Sequence, residues 1–231
     1  MGRASVITNS ESHVKKIIFH PKVLPSVVIC DPELTVGMPA VITAGTGMDA
    51  FAHCLEAFCS PHFHPMSQGI ALEGMRLVKD YLPRAFADGS DIDARAQMMV
   101  AASMGATAFQ KGLGAIHAVS HPVGAVYNTH HGMTNACVMP MVLDMNEDAI
   151  AERLASAAAY MGIEGGYQGF RGFVMDLRAE LNVPENLRAM GVGDDRIDEM
   201  VDAALQDPSC GGNPVEMTRD NTTALFYDCL G

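Results

Sequence analysis

Residues 45–60 read GTGMDAFAHCLEAFCS, and their spacing sets the fold class. Phe51, Leu55 and Phe58 recur at i, i+4 and i+7, a spacing that places apolar side chains on one face of an α-helix. Helical patterns also cover residues 66–82, 91–110, 113–121, 133–144, 147–161, 167–181 and 194–205, with a short helix from about 218. We therefore predict a mainly α protein, a multi-helix bundle.

The first part of the chain has a different pattern. Residues 5–8 (SVIT), 16–19 (KIIF) and 27–30 (VVIC) are short β-branched runs, and prolines separate them. We expect two or three strands here. Two or three strands are too few for an independent sheet, so they need other strands to pair with.

Composition limits the function. The chain has 231 residues, 48% of them hydrophobic, and a net charge of −12 without a basic run, which argues against nucleic-acid binding. The six cysteines form no CxxC pair, so we expect reduced thiols and a cytoplasmic protein. No apolar run reaches the ~18 residues of a membrane span, so we expect no membrane partner.

Seven of the nine histidines lie between positions 53 and 131. Asp49 and His53 are four residues apart in a helical stretch, and His117 and His121 repeat that spacing. His131 follows ten residues later, where we expect a loop. One aspartate and several histidines from separate elements can converge on a divalent cation.

Each of these features also has a structural interpretation. An Asp/His pair on a helix is often an exposed polar pair, and His121 before a proline can mark a helix end. His62 and His64 stand beside prolines and are interpreted as loop residues. Gly45 and Gly47 form a GxG that is weak evidence for a phosphate loop, and we expect them to allow a close approach of the chain.

Two stretches carry a family resemblance: residues 45–60 and residues 112–140, GLGAIHAVSHPVGAVYNTHHGMTNACVMP. They resemble the two signature regions of the iron-containing (group III) alcohol dehydrogenases. Residues 81–98 and 213–226 resemble the connecting and C-terminal segments of that family. The resemblance implies a dehydroquinate synthase-like helical metal domain.

The resemblance also implies site residues. The family's metal ligands correspond here to Asp49, His53, His117 and His131, and the remaining signature histidine, His121, would lie near the nicotinamide and take part in cofactor placement or proton movement. Fe²⁺ is favoured over Zn²⁺, because four protein ligands close a tetrahedral zinc site, whereas iron accepts further ligands. His130, where relatives often carry proline, is left without a role.

Part of the family pattern is absent. Relatives begin with an α/β nucleotide-binding domain, and its GGGSxxD loop does not occur here. We expect residues 1–39 to be the remnant of that domain, its few β-strands left over, and residues 40–231 to be the all-helical metal-binding catalytic domain. Lys15 stands where relatives have a lysine that reaches toward the cofactor.

The resemblance thus implies an NAD(P)-dependent alcohol dehydrogenase or aldehyde reductase that transfers hydride between NAD or NADP and a small primary alcohol. In the full-length form we expect a homo-oligomer, a dimer. Two alternatives stay open: a truncated, non-catalytic metal-binding module, and a related polyol dehydrogenase of the glycerol type.

Overall fold

The structure is a computed structural model that describes residues 4–8 and 15–231. The described part is mainly helical, as predicted. Its α-helices are α1 (Ala40–Cys59), α2 (Pro65–Ala87), α3 (Ile92–Ala108), α4 (Ala115–Tyr127), α5 (His131–Tyr160), α6 (Gly166–Glu180), α7 (Ile197–Gln206) and α8 (Arg219–Leu230). In this part of the chain, none of the helices combines the length and the apolar character that a membrane crossing needs.

Helix α1 lies at the centre of the bundle and packs against α2, α3 and α5. Most of its residues are buried, as expected of a helix with neighbours on several sides. Phe51 is fully buried and contacts Phe170 and Phe173 of α6, with ring centroids 6.2 and 5.9 Å apart. One face of α1 therefore contributes to the hydrophobic core, and another face carries Asp49 and His53, the two predicted ligands on this helix.

Side-chain caps fix several helix starts. The Asp91 carboxylate accepts a hydrogen bond from the Ala94 N–H at the start of α3. Thr218 and Asn221 form a capping box at the start of α8. His130 caps α5 by accepting from the Met133 N–H. Such caps satisfy N–H groups that have no partner inside the helix.

Glycine allows α5 to approach α1 closely. A Cβ at Gly132 would collide with the backbone carbonyl of Gly45, so the two helices touch through glycine. Gly45 and Gly47 both lie inside α1 rather than in a loop before it. The interpretation as a close approach fits this geometry, and the phosphate-loop interpretation does not.

Three local predictions were wrong. A single helix, α5, covers both residues 133–144 and residues 147–161. Asn146 lies between these two ranges, but it is buried inside the helix and does not interrupt it. Helix α4 continues past Pro122 to Tyr127, so the proline does not end it. His131 is the first residue of α5 and not a loop residue.

The N-terminal strands differ in part from expectation. Strand β1 (Ala4–Thr8) pairs antiparallel with β2 (Lys15–Phe19), with Val6 opposite Ile17. Residues 27–30 form no strand, and the prediction of one there was wrong. Val27 and Ile29 are 75% and 84% exposed, because nothing in the described part of the chain packs over them.

Candidate metal centre

Asp49 and His53 project from one face of α1. The Oδ1 of Asp49 lies 3.9 Å from the Nε2 of His53, one helical turn further along. Both side chains are about three-quarters buried. The i, i+4 spacing predicted from the sequence thus places a carboxylate and an imidazole side by side.

Two further imidazoles reach the same carboxylate oxygen from other helices. His117 lies in the first turn of α4, and its Nε2 is 3.5 Å from the Oδ1 of Asp49. His131 begins α5, and its Nε2 is 3.4 Å from that oxygen. The rings of His53 and His117 stack, with centroids 4.7 Å apart. Three imidazole nitrogens therefore lie within 4 Å of one carboxylate oxygen at the junction of α1, α4 and α5.

The distances within this cluster fit a shared cation. Two atoms bound to one tetrahedral metal at 2.0–2.1 Å lie about 3.3–3.4 Å apart, close to the separations seen here. Asp49, His53 and His117 each offer a ligand atom, and these atoms lie within 4.8 Å of one another. Imidazole and carboxylate are ligands of iron and zinc, so the donor set fits either metal.

Burial keeps two of the imidazoles neutral. It lowers the pKa of His53 to about 4 and that of His131 to about 3. A neutral imidazole has a free lone pair, which is the form that binds a metal. At neutral pH both side chains are therefore ready to act as ligands.

His117 and Asp49 form a tightly coupled pair. Burial alone would lower the pKa of His117, but the charge of Glu56 and the contact with Asp49 outweigh it and raise that pKa to about 10. Burial opposes the ionised form of Asp49, but the surrounding histidines hold its pKa well below the usual range. The cluster thus contains a carboxylate that stays negative and attracts a cation.

Glu56 is a site residue that the sequence analysis missed. Its Oε2 lies 2.6 Å from the Nδ1 of His117, on the ring edge opposite Asp49. Its Oε1 accepts hydrogen bonds from the Ile116 and His117 N–H groups. Glu56 follows Asp49 by seven residues, so the i, i+4, i+7 pattern of Asp49, His53 and Glu56 was the signal that could have identified it.

Asp207 was also missed, and no spacing pointed to it. Its Oδ2 lies 2.7 Å from the Nδ1 of His121, 86 residues earlier in the chain. The contact with the His121 ring offsets burial and lowers the pKa of Asp207. His121 itself lies at the edge of the cluster, with its ring stacked on His131 at 5.3 Å.

Asn135 is the third missed residue. It is fully buried one turn beyond His131 on α5, and its Nδ2 donates to the Oδ1 of Asp49 at 2.7 Å. The same nitrogen lies 3.3 Å from the Nε2 atoms of His117 and His131. Its own Oδ1 is buried and has no partner among the described residues. The i, i+4 spacing from His131 was the available signal.

The other histidines considered in the sequence analysis take no part in the cluster. His62 and His64 lie in the exposed loop between α1 and α2, as interpreted from the sequence. His130 caps α5, and its ring packs against Gly45 rather than joining the ligands. The backbone of Lys15 lies in β2, and its side chain lies outside the described part of the structure.

Comparisons with known proteins agree with this arrangement. A family model described as "Fe-containing alcohol dehydrogenase family, C-terminal" matches residues 43–230. The chain is 44% identical to a 4-hydroxybutyrate dehydrogenase of Cupriavidus necator, over 87% of this chain and 55% of that protein. It is 37% identical to an NAD-dependent methanol dehydrogenase of Bacillus methanolicus, over 98% of this chain and 61% of that one.

A solved structure has the same fold. The structure of a 1,3-propanediol oxidoreductase superposes with a TM-score of 0.94 at 34% sequence identity, and the match covers 99% of this chain and 62% of that one. The chain thus spans about three-fifths of the length of the proteins that it matches.

Proposed function

Because this chain belongs to the iron-containing alcohol dehydrogenase family, we propose that it supplies the metal-binding catalytic part of an NAD(P)-dependent alcohol dehydrogenase or aldehyde reductase. The reaction is hydride transfer between NAD or NADP and a small primary alcohol. The observation that carries the proposal is the single oxygen of Asp49 faced by the Nε2 atoms of His53, His117 and His131 at 3.4–3.9 Å.

The metal ligands in this proposal are Asp49, His53, His117 and His131. Fe²⁺ is the preferred ion and Zn²⁺ the second choice, because iron more readily keeps a position for substrate when four protein ligands are bound. A metal held there supplies Lewis acidity, which polarises an aldehyde oxygen or lowers the pKa of an alcohol.

His121 is the residue proposed to handle the proton and to contact the cofactor. Asp207 holds its Nδ1 at 2.7 Å, which leaves Nε2 free to exchange a proton. The side chain is 23% exposed, so a substrate or cofactor can reach it. Lys15 is the second proposed cofactor contact, and this assignment rests on the family resemblance alone.

The cofactor pocket needs more chain than is described. We propose that residues 1–39 are the remnant of an α/β nucleotide-binding domain and that residues 40–231 form the metal domain. The greater length of the relatives supports this division, since the shared part is about three-fifths of each. The β1–β2 pair would then complete a sheet in that domain.

The substrate class is proposed from the relatives. Three of them are named for 4-hydroxybutyrate, methanol and 1,3-propanediol, all small molecules with a primary alcohol. We propose a similar substrate, a cytoplasmic location and a homo-oligomer, a dimer in the full-length form. The net charge of −12 supports the proposal that nucleic acid is not a partner. We propose no membrane partner either.

The test combines metal binding with dinucleotide binding. We would load the chain anaerobically with Fe²⁺, confirm folding by circular dichroism, and titrate NADH by fluorescence. The variant His117→Ala should lose metal retention, whereas His62→Ala removes an exposed histidine outside the cluster and should behave as wild type. Full metal retention by His117→Ala would contradict the proposed site.

The same experiment separates the alternatives. Metal binding without NADH affinity, even when the nucleotide-binding part is supplied by a longer chain or a partner, favours the non-catalytic metal module. Saturable, metal-dependent NADH binding supports the dehydrogenase, and turnover should then be measured with simple alcohols and with polyols. A strong preference for glycerol over primary alcohols would favour the polyol dehydrogenase.

A further inference from the structure

We propose that Glu56 is the positioning residue of the metal centre: it fixes the His117 ring with its hydrogen on Nδ1, so that the Nε2 lone pair points toward Asp49. The inference rests on the proposed metal site and adds to it a residue outside the ligand set. Two observations carry it, the contact of Glu56 with the ring and its contact with the backbone that bears the ring.

The first observation is the ring contact. The Glu56 Oε2 and the His117 Nδ1 are 2.6 Å apart, and both side chains are almost completely buried. An ionised carboxylate only accepts hydrogen bonds, so the ring nitrogen must donate. Since Nδ1 carries one hydrogen, the metal-binding form of the ring, which has no hydrogen on Nε2, presents its lone pair there, 3.5 Å from the Oδ1 of Asp49. Without this contact the ring could adopt the other tautomer, whose Nε2–H cannot bind a metal.

The second observation concerns the start of α4. The N-cap residue of this helix is Gly114, which has no side chain to accept from the first N–H groups. Glu56 instead accepts from the Ile116 N–H at 2.6 Å, and Asn213 accepts from the Ala115 N–H at 3.1 Å. The positive end of the helix also favours a negative carboxylate at this point.

One carboxylate therefore sets both the place and the rotation of His117. Its Oε1 fixes the backbone at the start of α4, and its Oε2 fixes the ring. Glu56 comes from α1, the helix that also provides Asp49 and His53. The position of α4 relative to α1 thus determines the direction in which the Nε2 lone pair of His117 points.

The variant Glu56→Gln tests this role with almost unchanged volume. The amide oxygen of the glutamine can still accept from the Ile116 N–H. Its amide nitrogen, however, donates to the His117 Nδ1, and this favours the tautomer of His117 with the hydrogen on the ring Nε2. We expect the fold to be kept and the affinity for Zn²⁺ or Co²⁺ to fall about 10- to 100-fold. Competition with a chromophoric chelator measures the affinity, and the Co²⁺ absorption spectrum reports the ligand geometry.

Two controls separate positioning from simple stability. Asn213→Ala removes the other cap of α4 without touching the ring, so it should lower stability and change metal affinity much less than Glu56→Gln. Glu147→Gln removes a carboxylate of α5 that contacts Gln168 and should leave both unchanged. An Asn213→Ala variant that loses as much affinity as Glu56→Gln would assign Glu56 a capping role only and overturn the proposal.

NMR of the His117 ring gives a readout that does not need the variant to fold. In the wild-type chain, with or without metal, the Nδ1–H should appear as a slowly exchanging resonance far downfield, and the metal should bind Nε2. A ring that binds the metal through Nδ1, or that lacks the protected Nδ1–H, would overturn the inference. A chain with this resonance and metal affinity that does not oxidise alcohols when the nucleotide-binding part is supplied would contradict only the proposed function.

Discussion

Replacing Gly132 with alanine should disrupt the metal centre although no ligand is replaced. Gly132 follows His131 at the start of α5, where the helix approaches α1. A Cβ at this position would meet the carbonyl oxygen of Gly45 and lie 2.6 Å from its carbonyl carbon, where ordinary contact begins at 3.4 Å. The atoms in the way belong to the backbone of α1, so they cannot rotate aside, and the helices must separate by at least about 0.8 Å.

The size of the effect follows from that separation. The Nε2 of His131 lies 3.4 Å from the Oδ1 of Asp49, and a shift of about 0.8 Å exceeds the roughly 0.2 Å that metal–ligand bonds tolerate. We expect Zn²⁺ affinity to fall at least about 100-fold. Overpacking costs about 1–3 kcal/mol, which outweighs the ~0.5–1 kcal/mol that alanine gains over glycine in a helix.

Urea unfolding of the metal-free chain and a chelator competition measure the two effects separately. Gly172→Ala is the matched control, because Gly172 lies inside α6 and a Cβ there meets nothing within 4 Å. This control should gain about 0.5–1 kcal/mol and keep its metal affinity. If Gly132→Ala also gained stability and bound metal as wild type does, the close approach of α5 to α1 would not be required for the site.

Three further predictions concern stability. Burial, helped by Arg153, lowers the pKa of Lys111 to about 8 from 10.5, so at this group the unfolded chain binds more protons between these values. The difference in the free energy of unfolding between wild type and Lys111→Met should therefore shift in favour of wild type by up to about 3 kcal/mol from pH 8 to 10.5 in urea titrations, and a constant difference would contradict the lowered pKa. Phe51→Ala should cost about 3–5 kcal/mol because the ring is fully buried, whereas the exposed Tyr227→Ala should stay within about 0.5 kcal/mol; equal costs would contradict the packing. Thr218→Ala removes the cap of α8 and should lower the free energy of unfolding by about 1 kcal/mol, and a neutral result would mean that α8 does not need its cap.

The sequence predicted the helices well where burial follows a 3.6-residue period. It failed where hydrogen bonds replace apolar packing. Asn146 is buried in α5 because it pairs with Asn213, 67 residues further along, and a buried asparagine interrupts the apolar pattern without interrupting the helix. Pro122 stays inside α4 because it removes only one helical hydrogen bond, and the surrounding residues are buried.

The candidate site divides in the same way. The four proposed ligands could be found from spacing and family resemblance. The partners of the histidines could not, because the contact of His121 with Asp207 joins positions far apart in sequence and depends on how α7 ends beside α4. Glu56 was within reach, since it continues the face of Asp49 and His53, but a single glutamate seven residues away has no meaning until its partner helix is known.

The origin of the ligands in three helices gives a bound cation a second effect. An ion held by His53 and His117 would act as a cross-link that closes a loop of about 64 residues. By the chain-entropy relation used for disulfides, closing such a loop lowers the conformational entropy of the unfolded chain and thereby stabilises the folded state by about 4 kcal/mol. A bound ion should therefore make the chain resist a pulling force. In a single-molecule experiment that pulls the two ends apart, the metal-loaded chain should resist extension until the ion is released. It should then lengthen in one step by the contour length of the freed loop.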